Sequence, residues 1–178
     1  MAKYTAIQDK DLGLGEIRKN IAALSKRAVK VGIVESEGKK NEKKRVRVIG
    51  KNGKPLKNRK AVESTETPTI AEVAAWNEYG VPDRIPRRSF IRGWTDNKAE
   101  HIKATTDAIF KKVADGKWDA DDAVKRLGEF AQDGIKSFIR TGDFRPNADR
   151  TIERKKSSKP LIDTGTMRNS VRYEVVRK

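Results

Sequence analysis

The chain contains no cysteine and a single histidine in 178 residues. Without cysteine there is no disulfide framework and no thiolate to serve as a zinc ligand or nucleophile, which suits a protein made in a reducing cytoplasm. Long apolar runs are missing too. No window approaches the ~18 apolar residues of a membrane span. The opening "MAKYTAIQDKDLGLGEIRKN" has no apolar stretch of signal-peptide length. The expectation is a soluble protein, not secreted through a cleaved signal and with no membrane partner. Neither a G-x-G-x-x-G segment, a P-loop nor a Ser-His-Asp arrangement stands in the sequence, so it implies no cofactor and no metal.

Charge is what the chain has in abundance. Lys, Arg, Asp and Glu make up 37% of it against 35% hydrophobic residues, and the formal net charge is +16. The core must therefore be modest, with some segments carried outside it. A field of that sign favours polyanionic partners or acidic surfaces, nucleic acid first. The length fits one domain.

Leu14, Ile17, Ile21 and Leu24 recur at helical spacing, which predicts an amphipathic helix. The period then changes to two in "VKVGIVES", where Val29, Val31 and Ile33 predict a strand over 29–34 with one buried face. From Glu37 to Lys60 the text holds 11 basic and 2 acidic residues. Within it, "RVRVIGKNGKPL" has the alternation and the Asn-Gly turn of a hairpin. Two valines and an isoleucine cannot offset the ordering entropy of such a segment. It is expected to project, or to order on a partner, as a basic insert spanning 37–67. Its candidate contacts to DNA or an acidic protein are Lys39, Lys40, Lys43, Lys44, Arg45, Arg47, Lys51, Lys54, Lys57, Arg59 and Lys60. The bland alternative is a solvated loop, and the contact reading is preferred only slightly.

Thr69 with Glu72 predicts a capping box, and Gly80 a stop, for a helix whose Ile70, Val73, Ala74 and Asn77 share a face. The two prolines of "VPDRIPRRSF" predict an extended connector. Two long helices follow, expected to pack as an antiparallel pair. One carries Ile91, Trp94, Ile102, Ile109 and Val113 and stops at Gly116. The other has a stripe of Ala123, Leu127, Phe130, Ala131, Ile135 and Phe138 and ends at Gly142. Gly128 and Gly134 cost helix stability of about 1 kcal/mol each relative to alanine, so close contact with another backbone is expected there.

The last twenty residues, "KPLIDTGTMRNSVRYEVVRK", hold an apolar plug at Leu161 and Ile162, then Asp163 or Thr164 as the cap of a short helical turn that Gly165 eases into. A closing strand over 170–177 follows, with Val171, Tyr173 and Val175 on its buried face and the strand at 29–34 as its mate. The predicted fold class is α+β, a small mostly antiparallel sheet against two long helices.

Three groups of residues carry a resemblance. Ala74, Asn77, Glu78, Tyr79 and Gly80 form A-x-x-N-E-[FY]-G. Ile85, Pro86, Arg88, Phe90, Ile91 and Arg92 form I-P-x-R-x-F-[IL]-R. Pro146, Asn147, Thr151 and Ile152 precede Lys159 through Gly165, K-P-L-I-D-T-G. In order and spacing they resemble the tail-completion or neck proteins of tailed bacteriophages, the group that includes minor tail protein Z-like and virion-morphogenesis proteins. The resemblance covers roughly 29–36 and 68–178; Ser89 and Lys156 depart from the family pattern, and the basic insert is outside it. It implies a virion protein of the neck or tail, made in the host cytoplasm and assembled as a homo-oligomeric ring. Six copies follow from tail symmetry. It would meet adaptor or portal-side proteins on one side and tail terminator or tube proteins on the other, with no enzymatic activity. The rival reading from another class is a monomeric basic nucleic-acid-binding protein using the 37–60 segment.

The resemblance makes Asn77, Glu78, Gly80, Pro86, Arg88, Phe90, Leu161, Asp163, Thr164 and Gly165 structural or interface positions. For Asn77 and Glu78 the preferred role is helix-end hydrogen bonding to the connector rather than an intersubunit contact. An aspartic-protease reading of Asp163-Thr164-Gly165 needs two carboxylates sharing a proton, and the chain holds no second copy of the motif; a homodimer could supply one, but the cap is the preferred role. His101 in a charged helix is expected to be exposed or half-buried, and the carboxylates of "DGKWDADD" to favour a helix N-terminus. Trp76, Trp94 and Trp118 are expected as core or interface anchors.

Overall fold

The computed structural model describes residues 13–33, 68–155 and 157–178. The predicted basic hairpin and its eleven candidate contacts lie outside them.

The predicted strand pair forms. β1 (Arg27–Ile33) and β2 (Val171–Arg177) join antiparallel, from Arg27 opposite Arg177 to Ile33 opposite Val171. An isolated two-stranded ribbon is marginal in water, and a helix gives this one its stability. α5 (Ala120–Thr141) crosses both strands, and Val31, Ile33 and the fully buried Val171 pack into the main core. The buried face does not run the full length of β2, because Val175 is exposed.

α1 (Leu14–Ser25) precedes β1. Only half of its predicted stripe faces inward: Leu24 packs against Ile109, Val113 and Ala123 with Trp118 and Leu127, and Ile17 meets Gly116, while Leu14 and Ile21 are exposed. α2 (Ile70–Tyr79) starts at the predicted capping box, with the Thr69 hydroxyl accepting from Glu72 N at 3.2 Å and the Glu72 carboxylate accepting from Thr69 N at 2.8 Å. Thr69→Ala removes one of these acceptors. An unfolding titration should show a loss of about 1 kcal/mol.

The connector and the first long helix differ from expectation. The connector is not extended throughout: Val81 and Ile85 exchange backbone hydrogen bonds of 2.8 and 2.9 Å around Pro82, Asp83 and Arg84. Asp83 takes the left-handed φ of 56° that closes this turn, a conformation that aspartate tolerates. The first long helix is two, α3 (Ile91–Asn97) and α4 (Ala99–Ala114), because Lys98 leaves helical geometry at φ −120° and ψ 17°. The break lets buried Trp94 pack in the main core while α4 follows α5 into a second cluster of Ile109, Val113 and Ala123.

α5 buries Ala120, Ala123, Val124, Gly128, Ile135 and Ile139, a stripe rotated from the predicted one. Phe130, Ala131 and Phe138 flank the core only partly buried. The rotation explains the glycines. A Cβ on Gly128 would lie 2.2 Å from the Tyr173 ring, and one on Gly134 would lie 2.4 Å from the Trp94 indole. The neighbours at these two positions are aromatic faces, not the backbone that the sequence led us to expect. The acidic loop behaves as predicted: Asp119 caps α5, accepting from Asp122 N at 2.8 Å, and Asp121 and Asp122 occupy the first turn.

α6 (Asp149–Lys155) and α7 (Thr166–Asn169) complete the chain before β2. The plug at Leu161 is real and unusually shaped. Leu161 is buried in the main core at a left-handed φ of 62°, which costs a non-glycine residue about 1–2 kcal/mol. Burying a leucine contributes about 1.5–3 kcal/mol, enough to hold the turn.

Candidate functional site

The family-like residues converge on one buried polar knot. Its centre is Arg88, only 7% exposed although it carries a charge. The proline-bounded segment delivers it alongside α2, and Arg88 N donates to Asn77 O at 2.7 Å. Its guanidinium then spans 57–59 residues of sequence: Nε donates to Arg145 O at 2.7 Å, and Nη2 to Pro146 O at 2.9 Å and to Asn147 Oδ1 at 3.2 Å. Nη1 donates to Asn77 Oδ1 at 3.3 Å. Asn147, itself buried, passes the link on by donating from Nδ2 to Lys159 O at 3.3 Å, at the start of K-P-L-I-D-T-G. All three motifs are thus tied through one guanidinium whose planar fork fits several acceptors at once.

Every acceptor on Arg88 is a neutral amide or carbonyl oxygen. Burial first, and the nearby Arg145 cation second, hold its pKa below the ordinary arginine value, yet an arginine keeps its charge in a protein. The knot is therefore a positive centre with no carboxylate in contact among the described residues. Glu78, the adjacent buried acid, is turned elsewhere. Its Oε2 accepts from Phe90 N at 2.7 Å and Ile91 N at 3.0 Å, and its Oε1 from Arg92 N at 3.0 Å. These are free amides of the first turn of α3, and the carboxylate satisfies them while favouring the positive end of the helix. Asn77 and Glu78 thus hydrogen-bond the connector and the helix that follows it.

Glutamine offers one acceptor oxygen where glutamate offers two, and would turn an N–H₂ group toward amide donors. Glu78→Gln should cost about 1–3 kcal/mol. Thermal unfolding should show it as a fall of about 2–4 °C in Tm for each kcal/mol.

The remaining motif residues have local roles. Gly80 sits at φ 81° with its α-carbon against Arg87, where a Cβ would lie 3.1 Å from the Arg87 nitrogen. Phe90 is fully buried beside Trp94, Ile135 and Ile139. Thr164, not Asp163, accepts from Thr166 N at 3.4 Å, and Gly165 enters α7 at φ 78°. Asp163 is exposed and makes no side-chain hydrogen bond among the described residues. Gly165 is the N-cap of α7 and no side chain caps it, so the cap expected of Asp163 or Thr164 does not form. Pro86 is half-buried in the connector.

The three tryptophans divide by environment. Trp94 is buried in the core, Trp118 is half-buried under the Arg126 guanidinium at 4.4 Å from its ring, and Trp76 is exposed. His101 is exposed, with its ring edge on Phe130. It borders an open groove of about 600 Å³ between α3, α4 and α5 that also touches Asp133 and Ser137. Among the described residues no hydrogen bond links His101 to either. No group of His, Asp or Glu among the described residues is placed to hold a metal ion, and none of the described helices is long and apolar enough to cross a membrane.

Asn147 as the second anchor of Arg88 was not predicted. The available signal was the Pro-Asn pair opening a polar loop, since a loop needs a side chain to satisfy its buried carbonyls. Compared with known protein families, with curated proteins and with solved structures, the chain matches none.

Proposed function

We propose that the chain is a structural subunit of the neck or head-proximal tail end of a tailed bacteriophage, whose copies form a ring around the DNA channel and mediate head–tail joining. The observation that carries this reading is the convergence of three sequence-distant motifs on the Arg88 knot. The positions that resemble the tail-completion family are the ones on which this fold depends, as a shared architecture requires. The role is geometric rather than catalytic. Its partners are other copies of the chain, in six-fold number if it follows tail symmetry, with adaptor or portal-side proteins above and tail terminator or tube proteins below.

Among the described residues β1 and β2 pair only with each other, which leaves an outer edge on each strand, and unpaired edges are surfaces through which copies associate. The second reading, a monomeric nucleic-acid-binding protein, is favoured by the charge of +16. Mass-resolved analysis of particles separates the two. The neck reading predicts the protein in virions at a fixed low multiple, in the virion and not merely in the host cytoplasm. Its absence from joined, infectious particles would leave the nucleic-acid binder in its place.

A further inference from the structure

The cations are unevenly placed. Residues 99–141, which hold α4 and α5, carry eight basic and eight acidic residues, whereas 81–92 and 143–159 together carry ten basic and four acidic. The Arg88 knot brings those last two segments together. The segments joined at Arg88 carry three exposed cations: Arg87 next to it in the chain, with its Nε donating to Ser89 Oγ; Arg145, whose carbonyl Arg88 holds; and Lys159, whose carbonyl Asn147 holds. Arg84 is exposed at the tip of the Val81–Ile85 turn of the same connector. The acids nearest in sequence are Asp83 and Asp143, but the ion pairs formed among the described residues all lie elsewhere, at Glu16, Asp107, Asp115 and Asp121. Among the described residues, then, none of these rim cations forms an ion pair, and neither does Arg88.

We propose that this rim, Arg84, Arg87, Arg145 and Lys159 around Arg88, is a binding surface for the phosphate backbone of nucleic acid, distinct from the 37–60 insert. Three of its four exposed cations are arginines, whose forks match phosphate oxygens two at a time. Like-charged guanidiniums raise one another's energy, as Arg145 does at Arg88, and an arriving anion relieves that repulsion. Nucleic acid fits better than an acidic protein because two separate basic segments, the rim and the insert, match a long and uniformly charged partner, whereas a protein's acidic patch is local. Binding of this kind fixes position without reading bases.

The surface deepens the neck reading, in which DNA passes the subunit, but it is tested separately from it. The full-length protein is titrated with a short mixed-sequence DNA duplex across a range of salt. The quadruple variant R84Q/R87Q/R145Q/K159Q should flatten the slope of log K against log salt by about 0.9 for each phosphate that is no longer neutralised. K103Q/K111Q/K112Q/K125Q, which removes as many exposed cations from the balanced helices, should leave the slope near wild type. Arg88 is untouched in both, and circular dichroism confirms that each variant is folded. An unchanged slope in the rim variant, an equal loss in the helix variant, or no duplex binding by the wild type overturns the proposal. So does equal affinity for polyglutamate, which would assign the rim to an acidic protein. None of these outcomes alters the count of subunits in the particle.

Discussion

Gly134→Ala should destabilise the protein by up to about 2 kcal/mol, although helix propensity alone favours the change by about 1 kcal/mol. Gly134 lies in the body of α5, where alanine is ordinarily the better residue. A Cβ there would meet three atoms of the Trp94 indole at 2.4, 2.5 and 2.6 Å. Trp94 is only 6% exposed and packs beside Phe130 with ring centroids 6.0 Å apart, so a retreat into the open groove that it lines would give up its packing in the main core. Overpacking of a filled core typically costs about 1–3 kcal/mol, and here it outweighs the propensity gain. A lowered denaturant midpoint at unchanged m-value is the expected result. Gly128→Ala is the informative neighbour: its clash is with Tyr173, which is half-buried and can shift outward, so its loss should be smaller. A gain in stability for Gly134→Ala would contradict the packing of α5 on Trp94.

Arg88→Met should cost at least about 3 kcal/mol. Two effects compete. Removing a buried cation recovers its desolvation cost, and a buried charge is often replaceable by an apolar side chain when both partners change together. Here only one partner changes. Methionine would leave the carbonyls of Arg145 and Pro146 and the side-chain oxygens of Asn77 and Asn147 without their donor, at about 1–3 kcal/mol for each that stays unsatisfied. The loss of acceptor partners therefore wins. Arg88→Lys should fall between, since a single ammonium keeps the charge but cannot reproduce the fork. Unfolding titrations of both variants check the order. If methionine were tolerated better than lysine, the knot would be a buried charge that the fold endures rather than its fastening.

Local chemistry was readable where a short segment decides its own shape. Thr69 and Glu72 predicted both hydrogen bonds of the α2 cap, and Gly80 its end. The period-two segments predicted the mating of β1 with β2, because alternation specifies which face must be covered. What failed was decided between segments. A break at Lys98 has no proline or glycine to announce it and follows from Trp94 and α4 serving different clusters. The α5 stripe turned because Ile135 and Ile139 are buried in the main core while Phe130 and Phe138 pack at its margin. The glycines of α5 announced a close approach but not its partner.

The candidate site divides the same way. Asn77, Glu78 and Arg88 were singled out by pattern, and hydrogen bonding of the first two to the connector followed from their place at a helix end. Nothing local could have predicted that Arg88 would reach Arg145, Pro146 and Asn147, since that contact depends on where α5 returns the chain. Leu161 was legible as an apolar plug, but its left-handed backbone was not. Leucine rarely adopts that conformation unless burial compensates it.

The most direct test of the joining role uses particles made without this protein. If the chain joins head to tail, such a preparation contains DNA-filled heads and separate, complete tails, and adding the purified protein restores joined particles and infectivity. The Arg88→Met variant, destabilised by at least about 3 kcal/mol, should restore both less well than the wild type. Heads and tails that join as efficiently without the protein as with it would contradict the joining role.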